Sequence, residues 1–393
     1  MPAGSGHSEL VDAAPARDGG RVGAEGLWNA WKQSSGAVAF AVVLTLVAYW
    51  WFTMVVSGPS DCAFDFRQFW QGGNDVVNGV SPYPEVDDVK AAGDEFGPVR
   101  IQEVFRFPYP AGAAVALAPL GALSFGVASA IWGALLIVAI LGAVWLLGVR
   151  DWRVLAIVVS AHPVITSVRL GTLTPVLLLL AAIAWRWRDR RWVAGAALAA
   201  ALSLKMFLWP LVVWFLATRR FGAAGIAAGL GVVATVGGWA VIGFEGMTSY
   251  PELLRMLTDV VETVGLSLVA LGDQAGLPSG LARTLPLLVG IPLLVSVFVV
   301  ARREDGDRRA FSIAVVASIA ITPIVWLHYF TLLVAPLALA RPRLAWPWAL
   351  LWAFWLIPAQ GNEGEIGRII LAVAFTAAAA VLCARGASKT VRA

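Results

Sequence analysis

The sequence contains few charged residues. Of its 393 residues only 14% are Asp, Glu, Lys or Arg, whereas about a quarter is usual in a soluble globular chain. Hydrophobic residues make up 59%, and the mean hydropathy is +0.77. This balance excludes an ordinary soluble globular protein. It predicts an all-α polytopic membrane protein that is embedded in the lipid bilayer.

Cysteine and histidine are also scarce, with two and three residues. Cys62 and Cys383 lie near opposite ends of the chain, which excludes a disulfide framework or a zinc motif built on cysteines. The histidines are too widely spaced for a HExxH motif or an obvious zinc site, so no metal ligands are assigned and no cofactor is expected, and the requirement for a divalent metal is left open. No Walker A or dinucleotide-binding pattern is present, and no nucleic-acid partner is expected.

Long apolar runs recur along the chain. Thirteen apolar segments lie between the first, 35–56, and the last, 367–385. Both tails are expected to be cytoplasmic, which requires an even number of crossings, so we predict about twelve transmembrane helices. Prolines divide the runs between 108 and 218 into pieces about half a bilayer long, and which of these pieces fully span is left open.

Charge divides the chain into two faces. Residues 57–107 carry nine acidic against four basic residues, whereas the short loops near 186–191, 219–220, 302–309 and 341–343 are rich in arginine. The positive-inside rule therefore predicts that 57–107 and a second polar segment, 245–282, are outer loops. We expect short amphipathic helices in these loops. One of them is predicted in the segment 245–282, where apolar residues repeat at helical spacing: Leu253, Leu254, Leu257, Val261 and Val264.

The domain prediction follows from these boundaries. Residues 1–33 are expected to form a disordered cytoplasmic tail without a signal peptide. Residues 34–385 form a single transmembrane domain, and 386–393 form a second cytoplasmic tail.

Ionisable residues at membrane depth are costly and are candidates for function. Asp65 stands after the first span, and the predicted topology places the turns at Arg169 and Lys205 and the end of the span at His328 on the same outer side. A carboxylate, a lysine, an arginine and a histidine at one boundary can deprotonate a hydroxyl and bind a phosphate. Asp61 and His162 are weaker candidates.

Each of these residues also has a structural interpretation. Lys205 and Arg169 can extend their charges to the membrane interface as anchors. Asp65 and Asp61 can cap a helix or lie in solvent. His328 can be a helix-packing histidine, which for His162, beside a proline, is the favoured interpretation.

Five stretches resemble a known family. Asp65 opens "DFRQFW", and the later stretches "FPYPAGAAVALAPLGALS", "VRLGTLTPVLLLL", "ALSLKMFLWPLVVWFLATRRF" and "ITPIVWLHYFTLLVAPL" follow in the same order as in that family. Together they resemble the GT-C superfamily of membrane glycosyltransferases, and within it glycosyltransferase family 87, whose members use polyprenyl phosphate mannose. The chain departs from the family pattern at Thr172 and Thr174, where Gln and Asn are usual, and at Tyr329, where a second His is usual.

The resemblance implies a GT-C-like fold and an inverting hexosyl transfer at the outer face of a bacterial plasma membrane. A polyprenyl phosphate sugar, expected to carry mannose, is the implied donor, and a glycolipid or lipoglycan is the implied acceptor. Asp65 is the expected general base. The other expected site residues bind the donor phosphate (Lys205, Arg169 and His328) or the sugar and acceptor (Asp61, Trp70, Tyr83, Trp326 and Tyr329).

Two other functions are compatible with the same residues. In a secondary transporter or lipid flippase, Asp65, Lys205 and His328 would form a proton or ion relay between broken helices. In a non-catalytic subunit of an envelope-building complex, replacing Asp65 would leave activity unchanged.

Overall fold

A computed structural model describes residues 63–97, 99–357 and 365–384. The predicted first span 35–56, both predicted tails and Asp61 lie outside these described residues. The chain divides into a unit Met1–Val42, which is also outside them, and a unit Val43–Ala393, to which everything below belongs.

All regular secondary structure in the described residues is helical, which confirms the all-α prediction. The α-helices are α1 Phe64–Val77, α2 Val86–Phe96, α3 Val99–Val104, α4 Ala111–Gly121, α5 Phe125–Leu146, α6 Trp152–Val159, α7 His162–Leu170, α8 Thr174–Arg186, α9 Arg191–Leu204, α10 Pro210–Ala217, α11 Phe221–Val241, α12 Tyr250–Val261, α13 Leu268–Gln274, α14 Ser279–Ala282, α15 Leu285–Ala301, α16 Gly306–Ile321, α17 Val334–Ala340, α18 Ala349–Ala353 and α19 Ile366–Ala384. The 3₁₀-helices are Met206–Leu208, Leu327–Leu333, Trp346–Trp348 and Phe354–Leu356.

Four stretches of the described chain are long and apolar enough to cross a membrane, namely α5, α11, the pair α14–α15 and α19. A fifth candidate is the pair α6 and α7, which is bent by 57°. Five shorter apolar helical segments of 10–17 residues accompany them, including α4, α8 and α9. Four of the five lie between 108 and 218, and their lengths agree with the half-length pieces expected there. The total of about twelve spans stays a prediction.

Helix α11 separates two chemically different ends of the protein. With 21 residues it is about 30 Å long, the thickness of a bilayer core. At its first end Arg220 and Arg188 bind the Asp307 carboxylate, with N–O distances of 2.8 Å. Its other end leads to Glu245 and the second polar segment. The arginine-rich loops and the polar segment therefore lie at opposite ends of this helix.

The two polar segments pack against each other at that second end. Lys90 of α2 forms an ion pair of 2.8 Å with Glu252 of α12. The Tyr250 hydroxyl donates a hydrogen bond of 3.2 Å to the Pro108 carbonyl. The amphipathic helix predicted in the second segment is present as α12, with Leu253 buried.

Helix α1 is held against α4 by a close glycine crossing. A Cβ atom at Gly73 would lie 2.7 Å from the Leu117 carbonyl oxygen. The Asn74 amide donates a hydrogen bond of 2.9 Å to the Gly121 carbonyl. This crossing fixes the direction of α1 and with it the position of Asp65 in the first turn.

Candidate active site

Asp65 lies in the first turn of α1, outside the candidate membrane spans. It keeps intermediate solvent accessibility, yet burial among surrounding atoms raises the pKa of its carboxyl from the ordinary 3.8 to about 6, and the Lys205 ammonium opposes this rise. At neutral pH this carboxyl is mostly ionised and able to accept a proton.

The start of α1 is joined to the turn that carries Arg169. The Ala63 amide donates a hydrogen bond of 2.7 Å to the Arg169 carbonyl. The turn ends at Gly171, which has a φ of +71° and accepts a hydrogen bond of 2.8 Å from the Trp132 indole. A side chain at Gly171 would place its Cβ 2.6 Å from the Cβ of Phe66. Only glycine allows this left-handed conformation and this close approach together.

The Arg169 side chain is partly buried, and its Nε has no hydrogen-bond partner. A buried guanidinium nitrogen without an acceptor is costly. Such an atom marks a place where an anionic ligand would supply the missing acceptor.

Lys205 lies at the opposite end of α9 from the arginine-rich loop, in extended backbone between α9 and the next helical turn. Its ammonium donates a hydrogen bond to the Tyr329 hydroxyl. The nitrogen lies 4.3 Å from the centre of the Tyr329 ring and 5.4 Å from that of Tyr109. Among the described residues Lys205 forms no ion pair, so two aromatic rings contact its ammonium without neutralising it.

His328 and Tyr329 lie on the 3₁₀-helix Leu327–Leu333. The His328 ring is 4.7 Å from that of Tyr329 and within electrostatic range of Lys205. Its Nδ1 is buried and has no hydrogen-bond partner. The His328 carbonyl accepts a hydrogen bond of 3.3 Å from Ser167 of α7, the helix that also carries Arg169.

Tyr109 lies near both Lys205 and Asp65 and was missed by the sequence interpretation. Its ring packs against Phe69 of α1 at 4.6 Å, and its hydroxyl lies within electrostatic range of Asp65 and Tyr329. The stretch "FPYP" drew attention only as a resemblance. The two prolines flanking Tyr109 were the signal for a rigidly placed aromatic residue.

The predicted sugar-binding residues are distributed more widely. Trp70 is partly exposed, and its indole donates a hydrogen bond of 2.9 Å to the Leu123 carbonyl. Tyr83 is buried, stacks on Trp239 at 4.7 Å and donates a hydrogen bond of 2.6 Å to the Tyr109 carbonyl. Trp326 is partly buried, two residues before His328.

His162 lies apart from the others. Its Nδ1 is 3.1 Å from the Phe354 carbonyl oxygen, and its ring stacks on Trp355 at 4.3 Å. These contacts agree with the packing role favoured for it.

The site therefore combines one accessible carboxyl with several nitrogen groups that lack anionic partners. Neither Arg169 nor Lys205 forms an ion pair within the described chain, and the described residues contain no group of three His, Cys, Asp or Glu side chains suited to a metal ion. Such a site can accept a proton at Asp65 and hold an anion beside it.

Comparisons with known proteins agree with this chemistry. The family model for glycosyltransferase family 87 matches residues 107–323. The chain is 30% identical over 297 residues to the polyprenol-phosphate-mannose-dependent alpha-(1-2)-phosphatidylinositol pentamannoside mannosyltransferase of Mycolicibacterium smegmatis, and the match covers 67% of this chain and 71% of that protein. No solved structure matches the chain. Together, the family match and this relative confirm the predicted resemblance and show that the chain is a member of glycosyltransferase family 87.

Proposed function

We propose that this membrane glycosyltransferase moves mannose from a polyprenyl phosphate donor to a hydroxyl group of a lipid-linked glycan. The donor is supported by the name of the M. smegmatis relative and by membership of family 87. The observation that carries the proposal is a partly accessible Asp65 carboxyl within electrostatic range of the Lys205 ammonium, which forms no ion pair in the described chain.

Asp65 acts as the general base in this proposal. The acceptor oxygen attacks the anomeric carbon of mannose while its proton passes to the Asp65 carboxylate. The bond between the anomeric carbon and the phosphate oxygen breaks, and the electron pair leaves with polyprenyl phosphate. One carboxylate is enough, because phosphate departs as an anion without a general acid, and attack from the opposite face inverts the configuration.

Lys205, Arg169 and His328 bind the donor phosphate. Negative charge grows on that phosphate as the bond breaks, so the positive charges of Lys205 and Arg169 and a ring N–H of His328 stabilise the transition state more than the bound donor. The unpartnered Nε of Arg169 and Nδ1 of His328 support this role, because both lack a hydrogen bond that a phosphate oxygen would supply. Tyr329 holds the Lys205 ammonium in position.

The reaction is proposed to occur at the outer face of a bacterial plasma membrane. The arginine-rich loops near Arg188 and Arg220 lie at one end of α11, and the segments that pack around Asp65 lie at the other. The positive-inside rule assigns the first end to the cytoplasm. The donor then presents its sugar outside, where no nucleotide is needed.

The test is sugar transfer by the purified protein in detergent, with polyprenyl phosphate mannose and a mannosylated glycolipid. Lys205→Met should lower kcat/KM by about 10–100-fold, because it removes charged hydrogen bonds worth about 1.5–3 kcal/mol. Lys90→Met is the matched control: this exposed lysine pairs with Glu252, and its loss should leave transfer unchanged. Equal rates in both variants, or proton-coupled uptake in sealed vesicles without transfer, would overturn the proposal and favour a transporter.

A further inference from the structure

A polar cleft of about 560 Å³ lies along α1, beyond the candidate active site. One wall is formed by Trp70, Gln71 and Asp75 of α1, and the other includes Arg106, Phe107 and Tyr83. None of these residues except Trp70 and Tyr83 was singled out from the sequence. The cleft opens to the surface and lies outside the candidate membrane spans.

Helical geometry connects this cleft to Asp65. Gln68, Gln71 and Asp75 follow Asp65 at intervals of three, three and four residues, which keeps all four on one broad face of α1. Asp75 lies ten residues after Asp65 and therefore about 15 Å along the helix axis. This distance exceeds one sugar ring and matches a short chain of rings.

The cleft wall offers polar groups that the protein leaves unused. Within the described chain the Gln71 amide and the Asp75 carboxyl form no side-chain hydrogen bond. Asp75 has a raised pKa because of burial, and the Arg106 guanidinium acts on it in the opposite direction without forming an ion pair. An amide, a carboxylate and a guanidinium can together donate to and accept from several hydroxyl groups.

Aromatic packing makes the other wall rigid. The Phe107 ring lies directly over Gly72, where a Cβ would be only 2.5 Å from its Cδ2. Tyr83 packs edge-on against Phe107, with ring centres 6.1 Å apart. Because these rings are held by the fold, a ligand would enter a preformed site with little ordering cost.

The charge balance of the lining excludes two other ligand classes. Two acids, Asp75 and Glu103, face two arginines, Arg100 and Arg106, and Arg100 is paired with Glu103. A phosphate group would require an excess of positive charge, and an isoprenoid chain would require an apolar wall. An uncharged, hydroxyl-rich ligand fits the mixture.

We propose that this cleft binds the sugars of the acceptor that lie several rings away from the attacked hydroxyl. The inference rests on the proposed transfer at Asp65 and deepens it by naming the acceptor class. The enzyme then extends a lipid that already carries a short oligosaccharide, in preference to one that carries a single sugar. Asp75 and Gln71 bind sugars that only a longer acceptor has, and so they determine the preference for acceptor length.

The first test compares two lipid acceptors, one with a single mannose and one with a short mannose chain. The wild type should show a higher kcat/KM for the longer acceptor. In Asp75→Ala and in Gln71→Ala the ratio of the two kcat/KM values should fall about tenfold, the effect of losing one or two hydrogen bonds. Asp88→Asn, an exposed acid of α2 outside the cleft, is the matched control and should leave both rates unchanged.

A second test uses binding alone, so that the two proposals can fail separately. A water-soluble mannose oligosaccharide, titrated into the protein without donor, should bind more weakly to Asp75→Ala than to Asp88→Asn. Thermal melting of each variant identifies a loss that comes from unfolding. An unchanged acceptor ratio or unchanged oligosaccharide binding in Asp75→Ala and Gln71→Ala overturns the inference. Absence of transfer by the wild type overturns only the catalytic proposal, because the titration still tests whether the cleft binds the oligosaccharide.

Discussion

The pH dependence of transfer is expected to report the ionisation of Asp65. Burial raises the pKa of this carboxyl from 3.8 to about 6, and only the ionised form can accept the acceptor proton. Below pH 6 kcat/KM should therefore fall about tenfold for each pH unit. The donor is a phosphodiester that stays ionised across this range, so its own titration does not contribute.

The same shift makes a prediction about stability. Because the pKa is higher in the folded state than in the unfolded chain, this group favours folding most below pH 4 and loses that contribution as the pH rises through 6. The shift corresponds to at most about 3 kcal/mol, reduced by the solvent that reaches this partly exposed group. Asp65→Asn removes this cost, so the variant should melt at or above the wild-type temperature while its activity is lost.

The assay is a series of transfer rates between pH 4.5 and 8 in detergent, with the wild type beside Lys205→Met. The Lys205 ammonium lowers the pKa of Asp65, so its removal should move the acid limb of the profile to higher pH. Lys90→Met should leave the limb in place. A wild-type rate that stays flat from pH 7 to 4.5, or an identical limb in Lys205→Met, would refute the assignment of Asp65 as base.

Three further substitutions test the surrounding structure. Gly171→Ala should destabilise the protein by about 2–4 kcal/mol, because it forces a left-handed alanine into contact with α1; Gly126→Ala, whose Cβ would meet open space, should not. Asp307→Asn should lower the melting temperature by an amount equivalent to about 1–3 kcal/mol, since two arginines lose their acceptor; a wild-type melting curve would contradict this. Gly265→Ala places a Cβ 2.6 Å from the carbonyl oxygen of Val325, three residues before His328, which we propose to bind the phosphate, so kcat/KM should fall at least about tenfold; unchanged kinetics would show that the contact does not position the site.

The broad class of the protein was predictable because it depends on composition alone. Apolar runs need helices when no water is present to bind the backbone. Arginine counts predict the side of the membrane on which each loop lies. Lys205 and Arg169 each lie at one end of a helix. That Lys205 acts electrostatically on both Asp65 and His328 agrees with the prediction that they share one face, which needed no knowledge of helix crossing angles.

Other parts of the site depend on packing that sequence patterns do not encode. The path of α1 is determined by Gly73 lying against α4 and Gly171 lying against Phe66, contacts between residues far apart in the chain. The cleft at Asp75 exists only because of this path. Tyr83 was expected to be available for a sugar, but whether its ring is open or packed depends on the distant Trp239.

Asp65→Asn tests the central claim most directly, when kcat for mannose transfer and the Kd for polyprenyl phosphate mannose are measured on the same preparation, with Asp88→Asn as control. The account predicts that kcat falls by about 10²–10⁴-fold in Asp65→Asn, while the donor still binds and the protein still melts as a folded species. Transfer at the wild-type rate by Asp65→Asn would contradict it.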